Sequence, residues 1–170
     1  IKKSYDENGE NYESVRYEGF GIEGVGIIVE TLTDNRNRTA GDIRSVFSKH
    51  GGNLGETGSV SFMFNHLGIV KFPKSAGNFD DIFEIATDAG ALDCDILDDE
   101  YEISCSTDDL HQVADNIENT LSCDITSQLT WKPSNQIPLN KEKALKIIEM
   151  IEVLEDHDDV QEVFANFDLP

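Results

Sequence analysis

Val25–Phe64 reads VGIIVETLTDNRNRTAGDIRSVFSKHGGNLGETGSVSFMF. It opens on a β-branched apolar run, Val25, Ile27, Val29 and Leu32, which predicts a strand ending at Asp34. Thr39 is placed to start a helix, with Asp42 three positions on in the register of a capping box. Ile43, Val46, Phe47 and His50 fall at i, i+3, i+4 and i+7, so one face of that helix expects burial. Gly51 and Gly52 supply a left-handed C-cap, and a partly positive His50 at the helix end suits the dipole. After the turn-rich GNLGETG, Val60, Phe62 and Phe64 alternate with Ser59, Ser61 and Met63, the spacing of a half-buried strand. Strand, helix and strand make a βαβ unit, whose expected crossover is right-handed.

Towards the N-terminus, Tyr12–Phe20 predicts a strand carrying Tyr12, Val15, Tyr17 and Phe20, and the polar Ile1–Asn11 reads as the tail of a helix or linker. Gly19-Phe20-Gly21-Ile22-Glu23-Gly24 spells GxGxxG. The dinucleotide fingerprint requires those glycines to open a helix, whereas here Val25 begins another strand, so they build a turn between strands.

Towards the C-terminus, Gly68–Phe72 predicts a strand closed by Pro73. Phe79–Ala89 predicts a helix with Phe79, Ile82, Phe83 and Ala86 on one face and Gly90 at its end. Leu92–Leu97 and Tyr101–Ser106 form a hairpin across Asp98-Asp99-Glu100. A second helix, Asp108–Leu121, turns Leu110, Val113, Ala114 and Ile117 inward, with Thr107 or Ser106 as its cap. Ser127–Lys132 adds a strand before Pro133 and Pro138. The order βαββαβ is the ferredoxin-like pattern. Asn140 then caps a long helix with Ala144, Ile147, Ile148, Ile151 and Leu154 spaced for burial. Asp158-Asp159 breaks it, and Val160–Leu169 reads as a last strand. Because the first segment lacks a second covering helix, this C-terminal pair is expected to return to it. The fold class is therefore α+β with two small domains. A discontinuous domain of residues 1–66 plus 138–170 contains the βαβ unit, and an acidic ferredoxin-like domain of 67–137 is inserted in it.

The 170 residues carry 34 Asp or Glu against 13 Lys or Arg, a net charge of −21. A surface this negative repels phosphate and does not grip DNA or RNA over a broad face. No long apolar run or basic amphipathic stretch points to a membrane, and nothing at the start reads as a signal peptide. Cys94, Cys105 and Cys123 are odd in number and lack CxxC spacing, which fits reduced thiols and a cytoplasmic location.

Between Gly77 and Thr130 there are fifteen Asp or Glu and no Lys or Arg. The Asp93–Glu100 crowd fails the EF-hand register, since Asp98 stands where glycine is needed. A solvated acidic face, suited to docking a basic protein, accounts for it better. His50, His66, His111 and His157 are isolated from one another and from the cysteines. No hydrolase, zinc-protease or P-loop motif occurs, so no catalytic, cofactor or metal residue is assigned. GGNLGETGS follows a helix C-terminus and contains Glu56, which disfavours phosphate cradling. The basic residues cluster instead at Arg36, Arg38, Arg44 and Lys49, in the window Thr33–Val60, which sums to +1. Either Arg36 or Arg38 pairs internally, with Asp34, Glu30 or a carboxylate of the returning C-terminal helix, or the cluster makes an RNA or protein contact at the helix entrance.

LTDNRNRT, FSKHGGNLGETGSV and EDHDDVQEVFANFD together resemble the YebC/PmpR family, and the likeness extends over essentially the whole chain. The resemblance implies a non-enzymatic regulator of gene expression. It would be either a DNA-binding transcriptional regulator or a ribosome-associated factor, like the mitochondrial translational activator of cytochrome c oxidase, that relieves stalling on proline-rich sequences. It also implies that the grip on DNA, or on the ribosome and its RNA, resides mainly in a basic N-terminal helical domain. That domain is absent from this sequence, which is therefore expected to be a fragment or trimmed product.

Overall fold

The computed structural model describes residues 3–5 and 11–168. The chain begins with β1 (Lys3–Tyr5), β2 (Asn11–Phe20), β3 (Gly26–Thr33), α1 (Arg36–Lys49) and β4 (Asn53–Leu54). It continues through β5 (Phe64–Pro73), α2 (Phe79–Ala89), β6 (Asp93–Leu97), β7 (Glu100–Cys105), α3 (Leu110–Leu121) and β8 (Thr126–Pro133). It ends with β9 (Ile137–Pro138), α4 (Lys141–Glu155), β10 (Val160–Ala165) and β11 (Phe167–Asp168). Two units result, Ile1–Asn65 with Lys132–Pro170, and His66–Trp131. No helix among the described residues is long and apolar enough to cross a membrane.

In the first unit the sheet order is β1-β2-β3-β10, with β4 also paired to β2. All these pairings are antiparallel. The returning C-terminal strand thus completes the sheet, pairing Val163 with Val29 and Ala165 with Ile27. Strands β3 and β4 both run antiparallel to β2, so they are parallel to each other with β2 between them. The βαβ unit exists in this split form, with a second strand of two residues. Leu169 lies outside the described residues, as does most of Ile1–Asn11, whose described part, Lys3–Tyr5, is a strand paired with β2 and not the expected helix tail or linker.

Period-2 alternation gives this sheet two buried faces. Val25, Ile27 and Val29 pack with Ile43 and Phe47 of α1 and with Ala144, Ile147, Met150 and Leu154 of α4. Met150 takes a buried place, while Ile148 and Ile151 are half-buried at the margin of the stripe. The other face, with Gly26, Ile28 and Glu18, is covered by the segment after β4. The expected strand Ser59–Phe64 is accordingly corrected. Ser61–Met63 is a single 3-10 turn, and only Phe64 enters a strand. Val60 is fully buried over Gly26, where a β-carbon would come within 2.8 Å of it. Phe62 instead faces solvent, 76% exposed.

Three helices begin with an asparagine whose side chain accepts the third amide of the helix: Asn35 from Arg38, Asn78 from Asp81 and Asn140 from Lys143. Helix α1 therefore starts three residues earlier than expected. Asn35 is its cap, and Thr39 is a buried residue inside it. At the other end Gly51 alone adopts the left-handed conformation, φ +77°, while His50 donates from Nδ1 to the Val46 carbonyl at 2.8 Å. Gly21 and Gly24 lie in a short turn between antiparallel strands, as expected, while Gly19 is still part of β2.

The second unit is a four-stranded sheet ordered β6-β7-β5-β8, the ferredoxin-like arrangement, with α2 and α3 on one face. Its core gathers Val70, Phe72, Ile82, Ala86, Tyr101, Ile103, Val113 and Ile117. The hairpin turn has two residues, Asp98 and Asp99, at φ 50° and 65°, the left-handed pair that a tight two-residue turn needs. Two expectations fail here. Phe79 and Phe83 stand outside the core because the buried stripe of α2 is Ile82, Ala86 and Ala89. Ser106 precedes a 3-10 turn, Thr107–Asp109, without a side-chain cap bond, so α3 begins only at Leu110.

Helix α4 contributes four buried side chains to the first core. Ile147→Ala should cost about 2–5 kcal/mol in urea unfolding. Truncation after Leu139 should strip amide protection from β2, β3 and α1 while α2 and α3 keep theirs in hydrogen exchange.

Candidate functional site

The GETGSV segment after β4 is held by a single acid. Glu18 on β2 is 1% exposed. Its carboxylate accepts the amides of Gly58 (2.9 Å), Val60 (3.0 Å) and Ser61 (2.6 Å), and Nε of Arg16 at 3.1 Å. Burial alone would raise its pKa, but the amide and guanidinium bonds outweigh that and bring it from 4.5 to about 2. The glycine beside Glu18 admits α1 and β4 instead. At Gly19 a β-carbon would lie 2.6 Å from both the Asn53 carbonyl and the Phe47 ring. The amides of this glycine-rich loop thus bind an anion, and the anion belongs to the protein.

A second acid closes the C-terminal return. Asp159, in the turn between α4 and β10, accepts the Thr39 hydroxyl at 2.7 Å and Nη2 of Arg38 at 3.0 Å. Thr39 in turn accepts from Thr33 at 2.7 Å. The Asp159 carbonyl takes the amide of Leu32, and its own amide donates to Nδ1 of His157. That leaves Nε2 of His157 to donate to Asp42 at 2.8 Å. Burial opposes ionisation of Asp159, but the Thr39 bond and Arg38 hold its pKa below the ordinary carboxylate value.

These two anchors sort the basic cluster. Arg38 is held between Asp34 and Asp159, at 3.0 Å from each. Arg36 remains half-exposed, 3.8 Å from Glu13. Arg44 and Lys49 are exposed, with no acidic partner within 4 Å among the described residues. Arg36, Ala40 and Arg44, at i, i+4 and i+8, line one concavity of about 310 Å³. Its remaining walls are Val15–Glu18 of β2 and Leu54–Thr57. Strand β1 pairs only as far as Glu13 and β4 only from Gly19, so this stretch of the β2 edge has no strand neighbour among the described residues. Lys49 lies elsewhere on the helix.

Around the concavity, Arg16, Arg36 and Arg44 face two acids, Glu18 and Glu56. Arg16 is itself one of the four donors that meet the Glu18 charge and Arg36 lies 3.8 Å from Glu13, so the exposed cations of the site are Arg36 and Arg44. The Tyr17 hydroxyl donates to the Arg36 carbonyl at 3.4 Å, holding the phenol against the start of α1. Arg16, Tyr17 and Glu18 escape sequence reasoning because each is an ordinary strand residue; only pairing with loops distant in sequence gives them these positions. The cysteines offer no nucleophile in the second unit's core, since burial raises the Cys94 and Cys105 thiol pKa values, reinforced by nearby aspartates.

The folded Glu18 pKa of about 2 lies below its ordinary 4.5, so its stabilisation is present above pH 4.5 and fades as pH falls towards 2. Glu18→Gln should therefore cost roughly 3 kcal/mol at neutral pH. The gap between wild type and variant should narrow in urea titrations taken from pH 7 down to pH 3.

A crystal structure of a conserved hypothetical protein from Aquifex aeolicus has the same fold, with a TM-score of 0.83 and 39% sequence identity. The match covers 97% of this chain and 68% of that one. A family described as TACO1/YebC second and third domain matches residues 12–167. With the split sheet, the ferredoxin-like unit and this match over nearly the whole length, the chain belongs to the TACO1/YebC family.

Proposed function

We propose that this protein is a non-enzymatic regulator of gene expression that works at translation, placing the concavity of Arg16, Arg36 and Arg44 against RNA of the ribosome. The observation that carries this reading is the contrast in charge. A chain of net charge −21 leaves Arg36 and Arg44 exposed on one helix face, together lining one hollow. A long rigid duplex presents phosphate over a wide area and meets the acidic surface along with the basic one. A folded ribosomal RNA is interleaved with basic proteins, so an acidic body with one small cationic contact can settle there. Arginine suits the contact, since its planar fork pairs bidentately with phosphate. Family membership supports a regulatory role. The second reading, a DNA-binding transcriptional regulator, is supported by the transcription-regulator label that the matching family also carries.

Two measurements separate these readings. Co-sedimentation with ribosomes should fall several-fold on replacing Arg36 and Arg44 by Gln, with little change in melting temperature. Each lost phosphate contact should flatten the salt dependence by about one unit of slope. The same chain should bind duplex DNA no more tightly than about 10⁻⁶ M at physiological salt, the nonspecific range. Sub-micromolar duplex binding, with no effect of the arginines on ribosome association, would favour transcription instead.

A further inference from the structure

The second unit carries a surface that its own core does not use. Phe79 and Phe83 lie one turn apart on α2 with ring centroids 5.9 Å apart, and they are 42% and 50% exposed. The core beneath them is closed by Ile82, Ala86 and Ala89. The β6–β7 hairpin tip lies at the same end of the sheet, because Pro73 pairs with Glu100 and the Lys74 amide donates to the Asp99 carbonyl. The Tyr101 hydroxyl, which donates to the Gly77 carbonyl at 2.8 Å, ties the start of α2 to that hairpin. Topology therefore brings Ile96, 39% exposed and on the same face of β6 as the core residue Cys94, to the end of the unit that bears the two phenylalanines. Asp80, Asp81 and Glu84 neighbour the rings along α2, and Asp98, Asp99 and Glu100 make up the hairpin tip.

The geometry points to this end of the unit as a docking surface for a Lys/Arg-rich protein segment that carries an apolar or aromatic anchor. A paired aromatic that packs no core is the kind of side chain that anchors an interface, and its faces also receive guanidinium groups. Charge selects the partner. Fifteen acids and no Lys or Arg between Gly77 and Thr130 repel nucleic acid, anionic lipid and a second copy of this chain alike. A basic polypeptide is attracted by the rim and held by the rings. This surface is separate from the arginine concavity, and neither reading depends on the other.

The test uses the whole chain and a fluorescein-labelled peptide of alternating lysine and arginine with one central tryptophan, read by anisotropy over a salt series. Phe79→Ala with Phe83→Ala should weaken binding at least tenfold, and Asp80→Asn with Glu84→Gln several-fold. Replacing the tryptophan of the peptide by alanine should mimic the phenylalanine variant. Asp108→Asn with Asp109→Asn, at the opposite end of β7, should leave affinity unchanged. Should the double alanine variant melt early, Phe83→Ser alone and the ring-preserving Phe79→Tyr with Phe83→Tyr replace it, with loss expected for the first and retention for the second. Equal weakening by the Asp108 and Asp109 changes would reduce the effect to diffuse electrostatics and overturn the proposal. Indifference to the phenylalanines, or self-association in sedimentation that disappears with them, would do so equally.

Discussion

A carboxylate removed from water costs several kcal/mol unless donors surround it, and Glu18 has four. Much of the first unit follows from meeting that demand. Three donors are backbone amides from a loop some forty residues away, so the acid can be satisfied only when Gly58–Ser61 lies across the sheet. With the loop in place, Val60 seals the face that α1 and α4 leave uncovered. The fourth donor, Arg16, is drawn to the β2 edge, where it becomes one wall of the arginine concavity. One interaction thus serves core closure and site formation together.

Asp159 performs a similar task at the other face. The chain leaves the first unit to build the ferredoxin-like one and must come back to complete a sheet already begun. Its return is fixed by a buried acid that reads Thr39 and Arg38 on α1 and the Leu32 amide on β3. The Asn-Arg-Asn-Arg-Thr stretch is therefore divided in its work: Asn35 caps the helix, Arg38 and Thr39 hold the return, and Arg36 faces outward. An unusual run of polar residues is in this case mostly structural, with Arg36 left exposed on the same helix face as Arg44, about two turns on.

This division explains what could be read from the sequence alone. Elements with a strong period were legible: α2 matches its expected bounds, Phe79–Ala89, and the order of the second unit followed from βαββαβ. Faces were less so, because Phe79 and Phe83 share the helical spacing of Ile82 and Ala86, and spacing cannot say which flank the sheet will cover. Ser59–Phe64 misled for a related reason. Its alternation is real, yet the amides of Val60 and Ser61 bond to Glu18 instead of to a neighbouring strand. The cluster Arg36, Arg38, Arg44 and Lys49 was visible as charge and the nearby Asp34 as a partner, but its sorting also depends on Glu13 and Asp159, which only the folded sheet and the C-terminal return bring to it. Family resemblance reached the regulatory role that no local motif encodes.

Glu18 occupies the amides of its loop, while beside it Arg44 stays exposed and Arg36 is met only at 3.8 Å by Glu13. Amide chemical-shift mapping of the full chain during addition of a short single-stranded RNA tests this most directly. The account predicts shifts in the Arg36–Arg44 turns of α1 and in Leu54–Thr57, with Gly58, Val60 and Ser61 keeping their bonds to Glu18 and their protection from exchange. Shifts centred on Gly58–Ser61 that leave α1 untouched would show that the glycine loop is itself the anion site, and would contradict it.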